Sequence, residues 1–298
     1  MLRALPAGFL SALFIAAILT PVVRSLAWTW DIVDRPGPLK LHATPKAYLG
    51  GFALFWGLLA GIVVAQTVFP GVLKYAWALK FLIGGSFLMA VGLLDDIQKL
   101  SPYSRLIAQI VVGLLWTLTS QLPWPIAIVS ILLFPIACNA MNLIDGMDGL
   151  AAGTAALFGA GSALIALRQG EMGLALLGLI LCGACLGFLR FNWHPSTILM
   201  GDAGSLLLGS WIAGLIAYSF EKQPTALQLV SMALLFGFPL LDLGCTVIRR
   251  LLRGGPLFEG DRDHLYDVLA RSGLGTERSV AICLGATALL AFGVYVWV

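Results

Sequence analysis

Six aspartates stand where chemistry or a structural penalty must explain them. Asp95 and Asp96 are adjacent, Asp145 and Asp148 are three apart with Asn139 and Asn142 just upstream, and Asp202 sits between glycines in Met200-Gly-Asp-Ala-Gly-Ser205. The sixth, Asp242, falls inside the apolar run Pro239-Leu-Leu-Asp-Leu-Gly-Cys245. A carboxylate near hydrocarbon is costly unless it is paired, wet or bound to a cation. The adjacent pair repels itself, which suits a divalent ion or a proton-transfer role, and Lys99 is close enough in sequence to neutralise part of the charge. On a helical turn Asp145 and Asp148 would face the same way; the alternative is a plain interfacial loop in which Gly146 and Gly149 separate two helices. Asp202 at a glycine-flanked helix start can hold a metal while backbone N–H groups approach an anion, or it can simply cap the helix. Asp242 is either functional or paired with Arg249 about two turns on.

Two longer polar stretches, 28–47 and 251–278, carry most of the remaining candidates. The first holds Lys40, His42 and Lys46 among prolines, a spacing that serves phosphate at a membrane surface or membrane topology equally well. The second holds Arg262 and His264 among acids and arginines; His264 is the most versatile proton donor present. From Arg262 to Arg271 the pattern fits a short amphipathic helix lying in an interface. Asn192 and His194 add polar groups that suit a nucleotide or an interfacial belt. Cys182 and Cys185 have C-x-x-C spacing but lie in an apolar run without His or acidic neighbours, so they read as small buried residues rather than a metal or redox pair.

The elements that position these residues are membrane helices. In 298 residues, 59% are hydrophobic and only 11% charged, which excludes an ordinary water-soluble domain. Ten apolar runs are long enough to span, at roughly 4–27, 48–69, 75–94, 104–120, 124–141, 150–168, 172–190, 204–220, 225–250 and 279–297. The first is too long for a signal-peptide core and is read as retained. The chain forms one unit, 1–298, with no internal repeat or linker. Of the 18 Lys and Arg, thirteen fall in loops after odd-numbered runs and five on the other side. Those loops should face the cytoplasm, and both termini the opposite side. Thirteen of the fifteen acids and all three histidines share the cytoplasmic side, although topology has no need of them there. A net charge of +3 gives no reason to expect nucleic acid. These features describe a cytoplasm-facing site for Mg²⁺-assisted chemistry on a phosphorylated substrate, one partner coming from the bilayer.

The order DRPGPLKLHATPKAYLGG, GLLDDIQKLSPYSRL, NLIDGMDGLAAG, MGDAGSLLLG and PLLDLGCTVIRRLLRGGPLFEGDRDHLY closely resembles the polyprenyl-phosphate N-acetylhexosaminyl-1-phosphate transferases across nearly the whole chain. The resemblance implies an all-α polytopic protein of ten or eleven transmembrane helices in the bacterial inner membrane. The implied reaction moves a sugar 1-phosphate from a UDP-sugar to undecaprenyl phosphate, releases UMP, and begins a cell-surface polysaccharide. It requires Mg²⁺, with Mn²⁺ as an alternative. By motif, Asp95 and Asp96 match paired acids, one proposed as base on the lipid phosphate; Asp202, with Asp96, matches the metal side. Asn142, Asp145 and Asp148 match the nucleotide- and metal-side loop, Lys40 and His42 the first loop, and His264 the last-loop histidine, all expected near substrate together with Lys99, Asn192 and Arg262. The chain departs from many relatives in carrying His264-Leu-Tyr266-Asp267 where a histidine cluster stands. That argues against the peptidoglycan branch, and His-x-Tyr is similar to members that use modified N-acetyl sugars. An ion-coupled transporter is the rival of another class, disfavoured because the acids sit at helix ends on one side. A homodimer is allowed, with no motif behind it.

Overall fold

Long uncharged runs of Leu, Ala, Val, Ile and Gly form helices because, in lipid, backbone N–H and C=O groups must find partners within their own segment. The computed structural model describes residues 3–37, 44–120, 124–254, 256 and 261–297. Its helices are α1 (Ala4–Thr29), α2 (Gly50–Val68), α3 (Tyr75–Gln98), α4 (Pro102–Leu118), α5 (Trp124–Ile144) and α6 (Leu150–Arg168). They continue as α7 (Met172–Asn192), α8 (Gly201–Lys222), α9 (Ala226–Leu235), α10 (Gly237–Arg253), the five-residue α11 (Leu265–Leu269) and α12 (Gly275–Trp297). Among the described residues, eight helices are long and apolar enough to cross a membrane, and α9 with α10 makes a ninth candidate. The tenth expected span is α4, whose 17 residues reach about 25 Å at the helical rise. Length and composition alone therefore do not establish ten.

The run expected to be one continuous helix from 225 to 250 is broken, with an 82° bend between α9 and α10. The break falls at Phe236-Gly237-Phe238-Pro239. Pro239 has no N–H to give the carbonyl of Leu235, so the helix restarts with proline in its first turn, where that loss is harmless. Phe236 fills the corner, 1% exposed and edge-on to Phe158.

At the centre stands α8, in which every residue from Ala203 to Phe220 is buried. Helices α2, α3 and α5 pack around it, and glycines set how closely. A Cβ on Gly92 of α3 would overlap the Asp202 carbonyl, so glycine there brings the end of α3 against the start of α8. The loops after the odd-numbered spans meet at one end of the bundle. A short ribbon forms there, β1 (Val33–Asp34) antiparallel to β2 (Lys46–Ala47), an addition to the all-helical expectation. Ala47 bridges to Ile198, its carbonyl accepts from Leu199 N at 2.9 Å, and Gly50 and Gly51 donate to the Leu199 and Met200 carbonyls at 3.0 and 3.1 Å. The first loop is thus sewn to the segment that delivers Asp202. The opposite end is held by plainer contacts such as Lys222–Glu171 at 3.3 Å and Gln169–Gln228 at 2.8 Å. All five cysteines are free, and Cys182 and Cys185 are buried inside α7 as expected.

Candidate active site

The site is built on the first turn of α8. Asp96, in the last turn of α3, accepts the backbone N–H of Asp202 at 2.9 Å and of Ala203 at 3.1 Å. It therefore caps α8 from another helix, placing a carboxylate at the positive end of the helix dipole. Gly201 makes this approach tolerable: its φ is +70°, and an added Cβ would lie 2.6 Å from both Asp96 Oδ2 and the Tyr48 ring. Asp202 then projects from α8, its Oδ1 accepting Asn142 Nδ2 at 2.7 Å and its Oδ2 accepting Arg105 Nη1 at 2.7 Å. Asn142 also donates to Ser205 Oγ at 3.1 Å.

Asp95 closes the α3–α4 turn. Its Oδ1 accepts Leu100 N at 2.6 Å, and its Oδ2 accepts the same Arg105 Nη1 at 2.7 Å. Ser101 caps α4 by accepting Ser104 N at 3.1 Å, with Pro102 next, so Arg105 emerges at the start of the helix facing both acids. Lys99, expected to neutralise the acid pair, is instead the exposed left-handed end of α3 and pairs with neither acid. Arg105, one turn into the next helix, pairs instead with Asp95 of that pair and with Asp202. One turn deeper, Asn139 donates to Gln109 Oε1 at 2.8 Å and registers α4 against α5.

Asp145 and Asp148 do not act together. Helix α5 ends at Ile144, so the two lie in an irregular turn rather than on one helical face. Burial and the negative charges of Asp202, Asp96 and Asp148 push the Asp145 carboxyl well above its ordinary value. Asp148 turns away and meets Lys46 Nζ at 2.8 Å, Ser196 Oγ at 2.7 Å, Ser196 N at 3.0 Å and His194 Nδ1 at 3.1 Å. Although burial opposes it, hydrogen bonds from Lys46 and Ser196 hold the Asp148 carboxyl below the usual range. The Tyr48 phenol faces the acids, and burial with the charges of Asp96, Asp145, Asp202 and Asp95 keeps it protonated.

Other expected site residues have structural partners. Asn192 is 2% exposed, accepts Gly149 N at 3.2 Å and donates to the Ile198 carbonyl at 3.0 Å. Its amide is spent on main chain and is not presented to a substrate. Asp242 pairs with His264 rather than Arg249: Oδ2 lies 2.8 Å from His264 Nδ1, and Oδ1 accepts Leu265 N at 2.8 Å. Arg249 goes to Asp261 at 2.9 Å and the Asp263 carbonyl at 2.6 Å. His264, 5% exposed, stacks on Tyr266, whose hydroxyl donates to the Leu143 carbonyl at 2.8 Å. The last loop is thereby latched beneath the turn that carries Asp145. Arg262 lies 2.5 Å from Asp267. The amphipathic helix expected over 262–271 is only the short α11 with Tyr266 and Asp267 buried, followed by a wide turn broken at Gly273. Lys40 and His42 lie outside the described residues.

Asp95, Asp96, Asn142, Asp145 and Asp202 thus converge as expected, while Arg105, Tyr48 and the Lys46–Ser196 clamp were not anticipated as their partners. Among the described residues, no three His, Cys, Asp or Glu side chains form a ready metal cage. Mg²⁺ does not demand one, because it commonly keeps several waters and takes one or two carboxylates. The donors here are hard oxygens carrying more negative charge than Arg105 offsets, and no cation reaches Asp145 among the described residues. The site fits such an ion.

Comparison with known proteins gives the family. The profile described as glycosyl transferase family 4 matches residues 78–220, which carry Asp95, Asp96, Asp145, Asp148 and Asp202. The probable undecaprenyl-phosphate N-acetylglucosaminyl 1-phosphate transferase of Bacillus subtilis is 31% identical over 290 residues, covering 92% of this chain and 80% of its own. The decaprenyl-phosphate N-acetylglucosaminephosphotransferase of Mycobacterium tuberculosis (strain H37Rv) is 30% identical, with 98% and 82% covered. The undecaprenyl-phosphate alpha-N-acetylglucosaminyl 1-phosphate transferase of Yersinia pestis is 26% identical, with 91% and 78% covered.

Proposed function

The chain belongs to glycosyl transferase family 4, and from that premise we propose that it transfers N-acetylglucosamine 1-phosphate from UDP-N-acetylglucosamine to undecaprenyl phosphate, releasing UMP. The observation that carries this reading is the cluster on the first turn of α8, where Asp202 meets Asn142 from α5 and Arg105 from α4. An oxygen of the lipid phosphate bonds to the sugar-bearing phosphorus. The bond from that phosphorus to the oxygen shared with uridylate breaks, and UMP leaves with the electron pair. Both reactants are anions, so the chemistry is chiefly positioning and charge neutralisation.

Asp202 and Asp145 would hold a divalent ion, Mg²⁺ or Mn²⁺, which supplies the charge that lets two phosphates approach. Asp96 spends both oxygens on the start of α8, so its role is to place Asp202. Asp95 likewise receives Leu100 N and Arg105. Neither acid is left as an unencumbered base, and none is compulsory: a phosphate monoester with a second pKa near about 6 is already mostly dianionic at neutral pH. Arg105 and the protonated Tyr48 hydroxyl offer donors to phosphate oxygens.

The site faces the cytoplasm in a bacterial inner membrane, both termini lie on the other side, and the product begins a surface polysaccharide. The test is UMP release by purified protein given undecaprenyl phosphate, Mg²⁺ and a panel of UDP-sugars. Release should need both substrates, be greatest with UDP-N-acetylglucosamine and stop with EDTA. No release with any sugar, or release indifferent to EDTA, would overturn the reading.

A further inference from the structure

One arginine nitrogen is shared between carboxylates from two helices. Arg105 Nη1 lies 2.7 Å from Asp95 Oδ2 and 2.7 Å from Asp202 Oδ2. Each acid has another donor on its second oxygen, Leu100 N for Asp95 and Asn142 Nδ2 for Asp202. What Arg105 adds beyond hydrogen bonding is therefore positive charge between groups that would otherwise repel. Asp96 and Asp145 face the same space, and among the described residues Arg105 is the cation that pairs with the cluster. Its side chain is 24% exposed, so it is not locked in the core. A guanidinium is weakly hydrated and stays charged, which makes it a suitable stand-in for an inorganic cation.

We propose that Arg105 is a displaceable internal counter-ion: it holds Asp95 and Asp202 together before a divalent ion arrives, and by competing for Asp202 it sets how tightly that ion is held. The inference rests on Asp202 being a metal-side residue, as proposed above. Arg105 acts here through the two acids and is a positioning residue. Weakened metal affinity is the cost of a site that stays assembled when empty, and the displaced guanidinium remains beside the bound ion, free to meet a phosphate.

Mn²⁺ binding to purified protein in detergent, followed by the EPR signal of the free ion, tests this without any turnover. R105Q should bind Mn²⁺ about tenfold more tightly than the unaltered protein, because a cation a few ångströms from the ion has been removed. R105K should fall between them, since a compact ammonium keeps the charge but cannot span both acids as the guanidinium does. Without ion, R105Q should melt at a lower temperature, and saturating Mn²⁺ should restore it. A merely structural arginine would lower the melting temperature with and without ion and would not tighten binding. Equal or weaker Mn²⁺ binding in R105Q overturns the proposal; if R105Q does not fold, equal or weaker binding in R105K does so. D202N separates the two readings: it should lose Mn²⁺ binding. If D202N binds as the unaltered protein does, the metal side is misassigned and the counter-ion inference falls with it.

Discussion

At the scale of single residues, the acids of one membrane face have divided their labour. Asp202, carried by α8, is the one whose oxygens accept donors from two other helices, α5 and α4, and D202N should lower UMP release by at least about a thousandfold while leaving the melting temperature nearly unchanged. Near-normal release would remove it from the centre. Asp148 is the counter-example, an acid that resembles Asp145 in sequence and serves as a clamp. With Asp148 11% exposed and Lys46 13%, D148N strands a largely buried ammonium and should cost about 3 kcal/mol of stability. The sign with pH follows from its lowered folded value. Its stabilisation is complete above the unfolded value near about 3.9 and is lost as pH falls through the folded one. Melting temperatures of the unaltered protein and D148N should therefore converge in acid; parallel curves would contradict the clamp.

The acids were legible because each breaks an apolar pattern, and Asn142 because it precedes such a break. Their partners were not. Arg105 and Asp202 are 97 residues apart in the chain, and Lys46 and Asp148 are 102 apart. A basic residue near a helix end looks the same whether it sets topology or completes a site. Asn192 erred in the other direction, since a polar residue beside a candidate site can equally be anchoring the loops around it.

At the scale of elements, apolar runs identify helices but say nothing about how they bend or how closely they pass. The break at Phe236-Gly237-Phe238-Pro239 lies inside an unbroken hydrophobic stretch, so only its Gly-Pro spacing betrayed it. Close passage is the more consequential hidden variable. On α3, Gly84 and Gly92 are alike in sequence. An added Cβ at Gly84 meets only the end of Val112, at 3.1 Å, whereas at Gly92 it meets the backbone of Asp202 and Ala203. G92A should push α3 off the start of α8, lowering kcat/KM at least about tenfold and the melting temperature with it, because packed backbone cannot yield as a side chain can. G84A should be close to neutral in both measurements. Equal effects would show that the α3–α8 approach does not set the site.

At the scale of the whole molecule, the loops gather into two unlike ends, one bearing the acids and their clamps, the other short turns. That division was readable from the charges alone, because helices that cross and return must alternate their loops between two faces. The proposed orientation predicts reagent access. K99C, at the exposed end of α3, should react with a membrane-impermeant maleimide only in inverted vesicles. K74C, just before α3 begins, should react from the outside of intact spheroplasts. The reverse pattern would turn the protein over.

The burial of α8 also bears on how the molecule is made. It is the least apolar of the eight long helices, yet the most enclosed by protein. A segment leaving the ribosome meets lipid before it meets its neighbours, so α8 is the span least suited to wait alone. Helices α1 to α7 precede it in the chain, and α2, α3, α5 and α7 all touch it. The earlier spans thus form the berth into which α8 is received. Until then Asp95 has Arg105, ten residues away on the neighbouring helix, as its provisional partner. The acid cluster is completed at the same moment as the interior, so a chain stalled before residue 201 would hold neither a finished core nor an assembled cluster.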